Sequence, residues 1–319
     1  MTSPPDSGPP PLGGSEAEGV ASRARLSSLL ERLKNRARAL GLPRDAMLTL
    51  YFHEAVLARL SRSPEREHYV LKGGLRLYGH YGNAARPTVD IDLARLRPLP
   101  SAQEVEFAFT ELLSLPPERP KSSELPGDQF PEDRLPGDGV QFDTAAMTVS
   151  AIMEGAGAGG VRLEVEARFE RATQKLQIDF SFAPPIRPAP QLHPFPSLLT
   201  PQSHPLLMVP LETVVADKLA AAVENGSTNT RLKDFYDLLT ILSSSDWNPQ
   251  DLRDALEHIF VARGTPLSGT LDLLERLSRD VSLQGRWTAF LRRNTLTAPA
   301  SLVEVISRVG SVLKGVLEE

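Results

Sequence analysis

Residues 69 to 93 read YVLKGGLRLYGHYGNAARPTVDIDL and contain two short strand-like segments with a glycine turn and a helix between them. The first segment, Tyr69 to Leu71, predicts a strand, and Leu75 to Tyr81 predicts a helix. Gly73 and Gly74 separate the two elements. Without side chains at these positions, backbone N–H groups and the positive end of the helix can approach a phosphate, although two glycines can also form a simple tight turn.

The second strand, Thr88 to Leu93, carries two aspartates in alternation. Because strand side chains alternate, Thr88, Asp90 and Asp92 share one face, and Val89, Ile91 and Leu93 share the other. Two carboxylates on one face repel each other unless a cation lies between them, and magnesium prefers such oxygen ligands. The alternative is a solvated strand face or a pair of salt bridges.

Two further charged residues, Asp179 and Lys218, lie within apolar patterns. Asp179 alternates with Ile178 and Phe180 on a strand that we expect beside Asp90 and Asp92, unless it is a surface strand position. Lys218 falls in an apolar helical stripe, so it is either paired, or a phosphate contact, or a partly exposed lysine at a helix end.

The segment from Arg231 to Asp237 predicts a second charged helix face. Asp234 and Asp237 share that face with Ile241. Charges of both signs beside an apolar face indicate either a satisfied ionic network or a functional site.

Composition excludes several classes of protein. The 319 residues contain no cysteine, which excludes disulfides and thiolate metal sites, and carry a net charge of −5, which argues against non-specific coating of nucleic acid. No apolar run is long enough to span a membrane, so we expect a soluble, cytoplasmic protein. Between Arg23 and Arg44, seven basic residues face one acid, Glu31, as in a solvated helix face or a contact surface for phosphates.

Proline-rich segments divide the chain. We predict a disordered tail over 1–20, a mixed α+β domain over 21–205 with a proline-rich insertion at 114–139, and a helical domain over 206–319. The segment 183–205 is expected to be irregular. Gly155, Gly157 and Gly160 match the letters of a dinucleotide-binding fingerprint, but a helix-like stretch precedes them and a strand follows, so we interpret them as a flexible turn.

Taken together, these segments resemble the AbiEii/AbiGii type of toxin nucleotidyltransferases, which includes the MenT toxins, within the DNA polymerase β-like superfamily. The resemblance covers roughly residues 44 to 243. Its matching residues are Leu71-Lys72-Gly73-Gly74, Arg86, Thr88, Asp90-Ile91-Asp92, Asp179, Asp217-Lys218, Arg231, Lys233-Asp234 and Asp237, with Tyr51, Glu54, Arg59-Leu60 and Asp138-Gly139 in support. Leu75 and Arg76 depart from the small residue and the threonine or serine that are common after the double glycine.

The resemblance implies a nucleotidyltransferase fold, with a mixed β-sheet flanked by helices and a C-terminal helical domain. It implies transfer of a nucleoside monophosphate from an NTP, with Mg²⁺ held by Asp90 and Asp92. Asp179 would complete the metal site or activate the acceptor hydroxyl, and Lys218 and Asp234 would bind phosphate and organise the site. The nucleotide contacts that it implies are Lys72, Gly73, Gly74, Arg86, Thr88, Lys218, Arg231, Lys233 and Asp237.

The resemblance also suggests an RNA acceptor, with the 3′ end of tRNA expected as in the MenT relatives, and a separately encoded antitoxin protein. Two alternatives stay open. The acceptor could be a small molecule or a protein hydroxyl, which the acidic net charge favours, or the chain could be an NTP-binding protein without activity. The intact set of carboxylates argues against the last alternative.

Overall fold

The computed structural model describes residues 14–96, 101–117, 137–154, 158–182, 186–226 and 231–318. The helices are α1 (Gly14–Leu40), α2 (Arg44–Arg62), α3 (Gly73–Tyr81), α4 (Ala102–Ser114), α5 (Leu211–Asn225), α6 (Leu232–Leu242), α7 (Pro249–Arg263), α8 (Thr270–Ser278), α9 (Val281–Asn294) and α10 (Leu302–Glu318). The strands are β1 (Tyr69–Lys72), β2 (Asp90–Arg95), β3 (Gln141–Glu154), β4 (Ala158–Phe169), β5 (Ala172–Phe182), β6 (Gln191–Pro196) and β7 (Ser203–Met208).

The seven strands form one mixed sheet in the order β3-β4-β5-β2-β1-β7-β6. Strand β2 pairs antiparallel with β1 and parallel with β5, and β1 pairs parallel with β7. The hairpins β3-β4, β4-β5 and β6-β7 are antiparallel. The expected α+β class with a mixed sheet flanked by helices is therefore confirmed.

One face of the sheet packs on helices α1, α2 and α4. Tyr69, Phe109 and Phe180 meet edge to face there, with ring centroids 4.8 to 5.6 Å apart. Ile91 and Leu93 of β2 are fully buried in the same core. Burial of these alternating residues fixes the register of β2, so that Asp90 and Asp92 lie on the other face.

Helices α5 to α10 enclose a second core around Trp287, which is fully buried. Val70 of β1 and Ala94 of β2 pack into this second core from the sheet. Ala94 shares a strand face with Asp90 and Asp92, so the helical part of the chain covers one end of that face and leaves the aspartates at its margin.

Several expectations about local structure are confirmed. The predicted strands around Tyr69, Asp90 and Asp179 are present, a strand follows Gly160, Leu75 to Tyr81 is helical, and a C-terminal helical region follows Pro210. The boundaries of the predicted domains stay a prediction, and most of the insertion at 114–139 lies outside the described residues, as do residues 1–13 of the predicted tail.

The structure corrects four local expectations. Helix α1 begins at Gly14, inside the predicted tail, where Glu16, Ala17 and Glu18 favour a helix. The segment 183–205 is not irregular throughout, because β6 and part of β7 lie in it. Strand β3, not a helix, precedes Gly155, because pairing with β4 overrides its alanine content. Helix α4 was not predicted.

Prolines are compatible with β6 because it lies at the edge of the sheet, where a missing N–H donor leaves no neighbour unpaired. In the part of the chain that the structure describes, none of the helices has the length and apolar character that crossing a membrane requires.

Candidate nucleotide-binding site

The glycine turn between β1 and α3 is in direct contact with β2. Gly73 has a φ of +66°, and a Cβ atom there would lie 1.8 Å from Oδ2 of Asp92. A Cβ atom on Gly74 would lie 2.7 Å from the Cβ and Oγ1 atoms of Thr88. Both positions therefore require glycine for the N-terminal end of α3 to reach the aspartate strand, which explains the sequence signal physically.

Four charged residues form a row across the sheet. Lys72 of β1 is the register partner of Asp92 of β2, Asp92 is the partner of Asp179 of β5, and Asp179 is the partner of Arg162 of β4. Neighbouring strands are about 4.8 Å apart, so these side chains are immediate neighbours on one face. The sequence predicted Asp179 beside Asp90 and Asp92, and the strand pairing confirms that placement.

The first aspartate has a local hydrogen bond. Thr88 donates its hydroxyl to Oδ1 of Asp90 at 2.7 Å. Val89 does not share the buried face with Ile91 and Leu93 as predicted. It precedes β2 and is 75% exposed, because the chain is not yet in the strand there.

The surroundings of the second aspartate, Asp92, disfavour its negative charge. Burial raises the pKa of Asp92, and the nearby carboxylates of Asp90 and Asp179 raise it further, while Lys72 and Lys233 act in the opposite direction. The ionised form of Asp92 is therefore disfavoured in the site as it stands, which is the condition that a bound cation relieves.

The third aspartate already has partners. Arg162 donates from Nε to Oδ1 of Asp179 at 2.8 Å and from Nη2 to Oδ2 at 2.9 Å, and Gln177 donates to Oδ2 at 2.9 Å. Across the described residues, no group of three or more acidic, histidine or cysteine side chains is arranged to hold a metal ion. Asp179 thus lies beside Asp92 but is hydrogen-bonded to the other side, toward β4.

A second ionic cluster lies between α5, α6 and the segment that leads into β2. Nζ of Lys218 lies 2.9 Å from Asp234 and 2.7 Å from Asp237. Arg86 pairs with Asp237 at 3.2 Å, and Arg231 pairs with Asp234 at 3.1 Å. The two carboxylates are buried, so the predicted alternatives of a satisfied network and a site are both compatible with this cluster.

The ionic state of this cluster follows from its geometry. Burial lowers the pKa of Lys218, but Asp237 and Asp234 more than offset it, and the net shift is upward. Lys218 is therefore a paired ammonium and not the exposed helix-end lysine considered as an alternative. Because Arg86 immediately precedes the aspartate strand, its bond to Asp237 joins that strand to α6.

His53 was not anticipated from the sequence. It lies on α2, fully buried, near the backbone of Val89 and the carboxylate of Asp90. Burial lowers the pKa of His53 to about 4 despite the opposing effects of Asp90 and Val89, so the imidazole is neutral at physiological pH. A lone histidine in an apolar helix gives no signal in the sequence. Arg162, on a strand of alternating charges, gives none either.

The supporting residues of the resemblance have structural contacts. Tyr51 donates to the backbone carbonyl of Asp138 at 2.6 Å, and Arg59 pairs with the carboxylate of Asp138 at 2.5 Å. Glu54 accepts from the backbone N–H of Leu198 at 3.0 Å. After the double glycine, Arg76 is buried and donates to the carbonyl of Val209 at 2.6 Å, so it joins α3 to the end of β7.

Two solved structures resemble the chain. One, from H. pylori, is described as a candidate nucleotidyltransferase and is 15% identical, with a TM-score of 0.46 over 87% of this chain and 96% of that chain. The other, JHP933 from Helicobacter pylori, is 16% identical, with a TM-score of 0.45 over 87% and 94%. No curated protein matches the chain significantly.

A family model gives a firmer assignment. The model described as the nucleotidyl transferase AbiEii toxin of type IV toxin–antitoxin systems matches residues 55–309. The matched range includes the glycine turn, the row of charged residues on the sheet and the Lys218 cluster. The chain therefore belongs to the AbiEii nucleotidyltransferase toxin family of type IV toxin–antitoxin systems.

Proposed function

We propose that the protein transfers a nucleoside monophosphate from an NTP to a hydroxyl of an RNA acceptor, the 3′ end of a tRNA, with release of pyrophosphate and with Mg²⁺ bound. The observation that carries this proposal is the contact of the glycine turn with Asp92, 1.8 Å from a Cβ built on Gly73, because it brings the N-terminal end of α3 against the carboxylate strand. An anion-binding helix end beside cation-binding acids is the arrangement that a metal-bound triphosphate needs.

Phosphate binding is assigned to groups around the turn. The backbone N–H groups of Gly73 and Gly74 are assigned to the phosphates of the NTP, and Lys72 and Lys233 supply positive charge that acts on Asp92. In the second cluster, the three cations Lys218, Arg86 and Arg231 outnumber the two carboxylates Asp234 and Asp237. The surplus of positive charge favours a triphosphate over an uncharged ligand.

The residues present fit a hard divalent cation. Asp90 and Asp92 offer carboxylate oxygens on one strand face, and the raised pKa of Asp92 marks repulsion that a cation would relieve. When bound, magnesium supplies neutralisation of the charge on the reacting phosphoryl group. Asp179 is assigned to the same site, either as a further ligand or as the group that takes the proton of the acceptor hydroxyl.

Lys218 has a narrower role than free phosphate binding. Two of the three N–H donors of Lys218 are directed to Asp234 and Asp237, so these two ion pairs chiefly fix α5 against α6. The third N–H donor is left for a phosphate oxygen. Asp234 in turn positions Lys218 and Arg231. Asp237 holds Arg86 beside the aspartate strand.

The RNA acceptor is supported by the family and by the basic segment from Arg23 to Arg44, which spans the end of α1 and the start of α2. Arg36, Arg38 and Arg44 have exposed side chains, whereas Arg32 donates to the carbonyl of Leu199 and Lys34 pairs with Glu31. A cognate antitoxin follows from membership of a toxin–antitoxin family.

The test is incubation of the purified protein with each α-³²P-labelled NTP, magnesium and total bacterial tRNA. We expect label in RNA from the wild type and none from the variant that combines Asp90→Asn with Asp92→Asn. Asp143→Asn is the matched control, because Asp143 lies on the same sheet but pairs with Arg168, and it should transfer normally. Label on protein instead of RNA would show that the acceptor is a protein hydroxyl. Transfer by the Asp90/Asp92 double variant would show that the site is wrongly assigned.

A further inference from the structure

The two carboxylates that meet across β2 and β5 are in different electrostatic states. Asp92 is partly buried beside two other acids, with Lys72 and Lys233 acting on it at longer range, whereas Asp179 accepts three hydrogen bonds at 2.8 to 2.9 Å. Arg162 supplies two of these three bonds in a fork geometry, which is the strongest pairing available to a carboxylate in a protein.

The three hydrogen bonds leave Asp179 about one of the four acceptor positions of a carboxylate. Each of its oxygens accepts from the guanidinium, and Oδ2 also accepts from Gln177. A divalent cation bound at Asp92 would need one of these oxygens to turn from β4 toward β2. Such a turn breaks at least one charge-assisted hydrogen bond, so Arg162 and the cation compete for the same carboxylate.

The two partners differ in how freely they can move. The side chain of Arg162 is 35% exposed and that of Asp179 is 9% exposed. An arginine at the edge of the solvent can rotate away on its long stem, whereas the aspartate is confined between strands. A phosphate group accepts two hydrogen bonds from a guanidinium in the same fork geometry as a carboxylate, so a phosphate in the site offers Arg162 an equivalent partner.

We propose that Arg162 is a positioning residue that holds Asp179 away from a cation at Asp90 and Asp92, and that it releases Asp179 when a phosphate group of the NTP or the acceptor takes over its guanidinium. This inference rests on the proposed function, because it requires a cation at Asp90 and Asp92. It makes full cation coordination depend on substrate, so the free protein would bind the cation weakly.

The experiment measures Mn²⁺ binding to the protein without nucleotide, by electron paramagnetic resonance of the free ion. Arg162→Gln should bind Mn²⁺ about tenfold more tightly than the wild type, since one strong competitor for Asp179 is removed. Arg162→Lys, which keeps the charge but loses the fork, should lie between the two. Adding Asp179→Asn to Arg162→Gln should cancel the gain.

Arg168→Gln is the matched control, because Arg168 lies on the same strand and pairs with Glu166 and Asp143 instead. It removes the same charge and should leave Mn²⁺ affinity unchanged. An equal gain in this control, or an Arg162→Gln affinity equal to that of the wild type, would overturn the proposal. Thermal unfolding of each variant verifies that it is folded.

Asp92→Asn separates this inference from the proposed function. If Asp92→Asn weakens Mn²⁺ binding while Arg162→Gln has no effect, the cation site stands and only the role of Arg162 is rejected. If neither the wild type nor Arg162→Gln binds Mn²⁺ in a manner that depends on Asp92, both the cation site and the role of Arg162 are rejected.

Discussion

At the scale of single residues, the proposed site contains a carboxylate whose ionised form is disfavoured in the folded protein. This residue is Asp92, because burial and its acidic neighbours raise its pKa. Folding therefore opposes the ionised carboxylate, and that opposition is fully present above the raised pKa. A residue kept at such a cost is expected to serve the reaction and not the stability of the fold.

Asp92→Asn should accordingly abolish nucleotide transfer, by at least about 100-fold, without lowering the melting temperature at pH 7. Its stability relative to the wild type should shrink as the pH falls through the raised pKa toward the ordinary value of 3.8, where the wild-type carboxyl is protonated. Thermal unfolding at a series of pH values checks this. A melting temperature well below that of the wild type at pH 7 would mean that Asp92 has a structural role.

A comparison of alanine variants at Gly73 and Gly41 separates the effect of backbone strain from that of steric contact with the site. Gly73→Ala and Gly41→Ala both place a side chain at a positive φ, +66° and +65°, but only the first meets an atom of the site. Each should lose about 1 kcal/mol of stability from the backbone conformation. Only Gly73→Ala should displace Asp92 and abolish transfer.

Denaturant unfolding and the labelled-NTP assay, applied to both glycine variants, measure these two effects separately. Full transfer activity in Gly73→Ala would show that the turn does not need to approach the carboxylate strand.

At the scale of elements, Arg59 of α2 forms hydrogen bonds and an ion pair with chain segments that are distant in sequence. Arg59 donates to the carbonyl of Leu115 at 3.1 Å and to that of Val140 at 3.3 Å, and it pairs with Asp138. One buried guanidinium thus holds both sides of the proline-rich insertion. Its side chain also stacks over the ring of Phe142, 5.0 Å from the centroid.

Arg59→Met should lower the free energy of unfolding by about 3 kcal/mol, because it leaves a carboxylate and several carbonyls without their donor. Arg62→Met is the control on the same helix. Arg62 is exposed and donates to the carbonyls of Ala58 and Pro116, so its loss should cost less than about 1 kcal/mol. Denaturant unfolding measures both, and equal losses would contradict this role of Arg59.

At the scale of the whole molecule, the sheet and the C-terminal helices share buried surface. Val70 and Ala94 of the sheet lie in the helical core, and Arg86 joins the aspartate strand to α6. The proposed site needs both parts, since Lys233 acts on Asp92 from α6. We therefore predict that the two parts unfold together.

Phe180→Ala tests this coupling, because Phe180 is fully buried in the sheet core and its loss should cost about 3 to 5 kcal/mol. Both tryptophans, Trp247 and Trp287, lie in the helical part and report on it by fluorescence. In the Phe180→Ala variant, the denaturant midpoint measured by tryptophan fluorescence should fall by as much as the midpoint measured by far-ultraviolet circular dichroism. An unchanged tryptophan midpoint would show two independent units.

Local pattern in the sequence indicated many of the elements and the orientation of the aspartates, but it missed α4, β3, β6 and β7. Alternation placed Asp90 and Asp92 on one face of β2, helical spacing placed Lys218, Asp234 and Asp237 beside apolar stripes, and two glycines marked the turn. Such patterns follow from the geometry of a single strand or helix, so neighbouring residues suffice to define them. The family motifs in the same segments pointed to the nucleotidyltransferase reaction class.

The tertiary structure alone decided which groups face one another. Arg162 meets Asp179 only because β4 pairs with β5 in one register, and Arg86 meets Asp237 only because α6 packs beside the segment that leads into β2. Strand β6 forms within a proline-rich segment because its position at the edge of the sheet tolerates the missing N–H donors. These partners are distant along the chain, and a periodic pattern states which face a side chain occupies but not which element lies opposite to it.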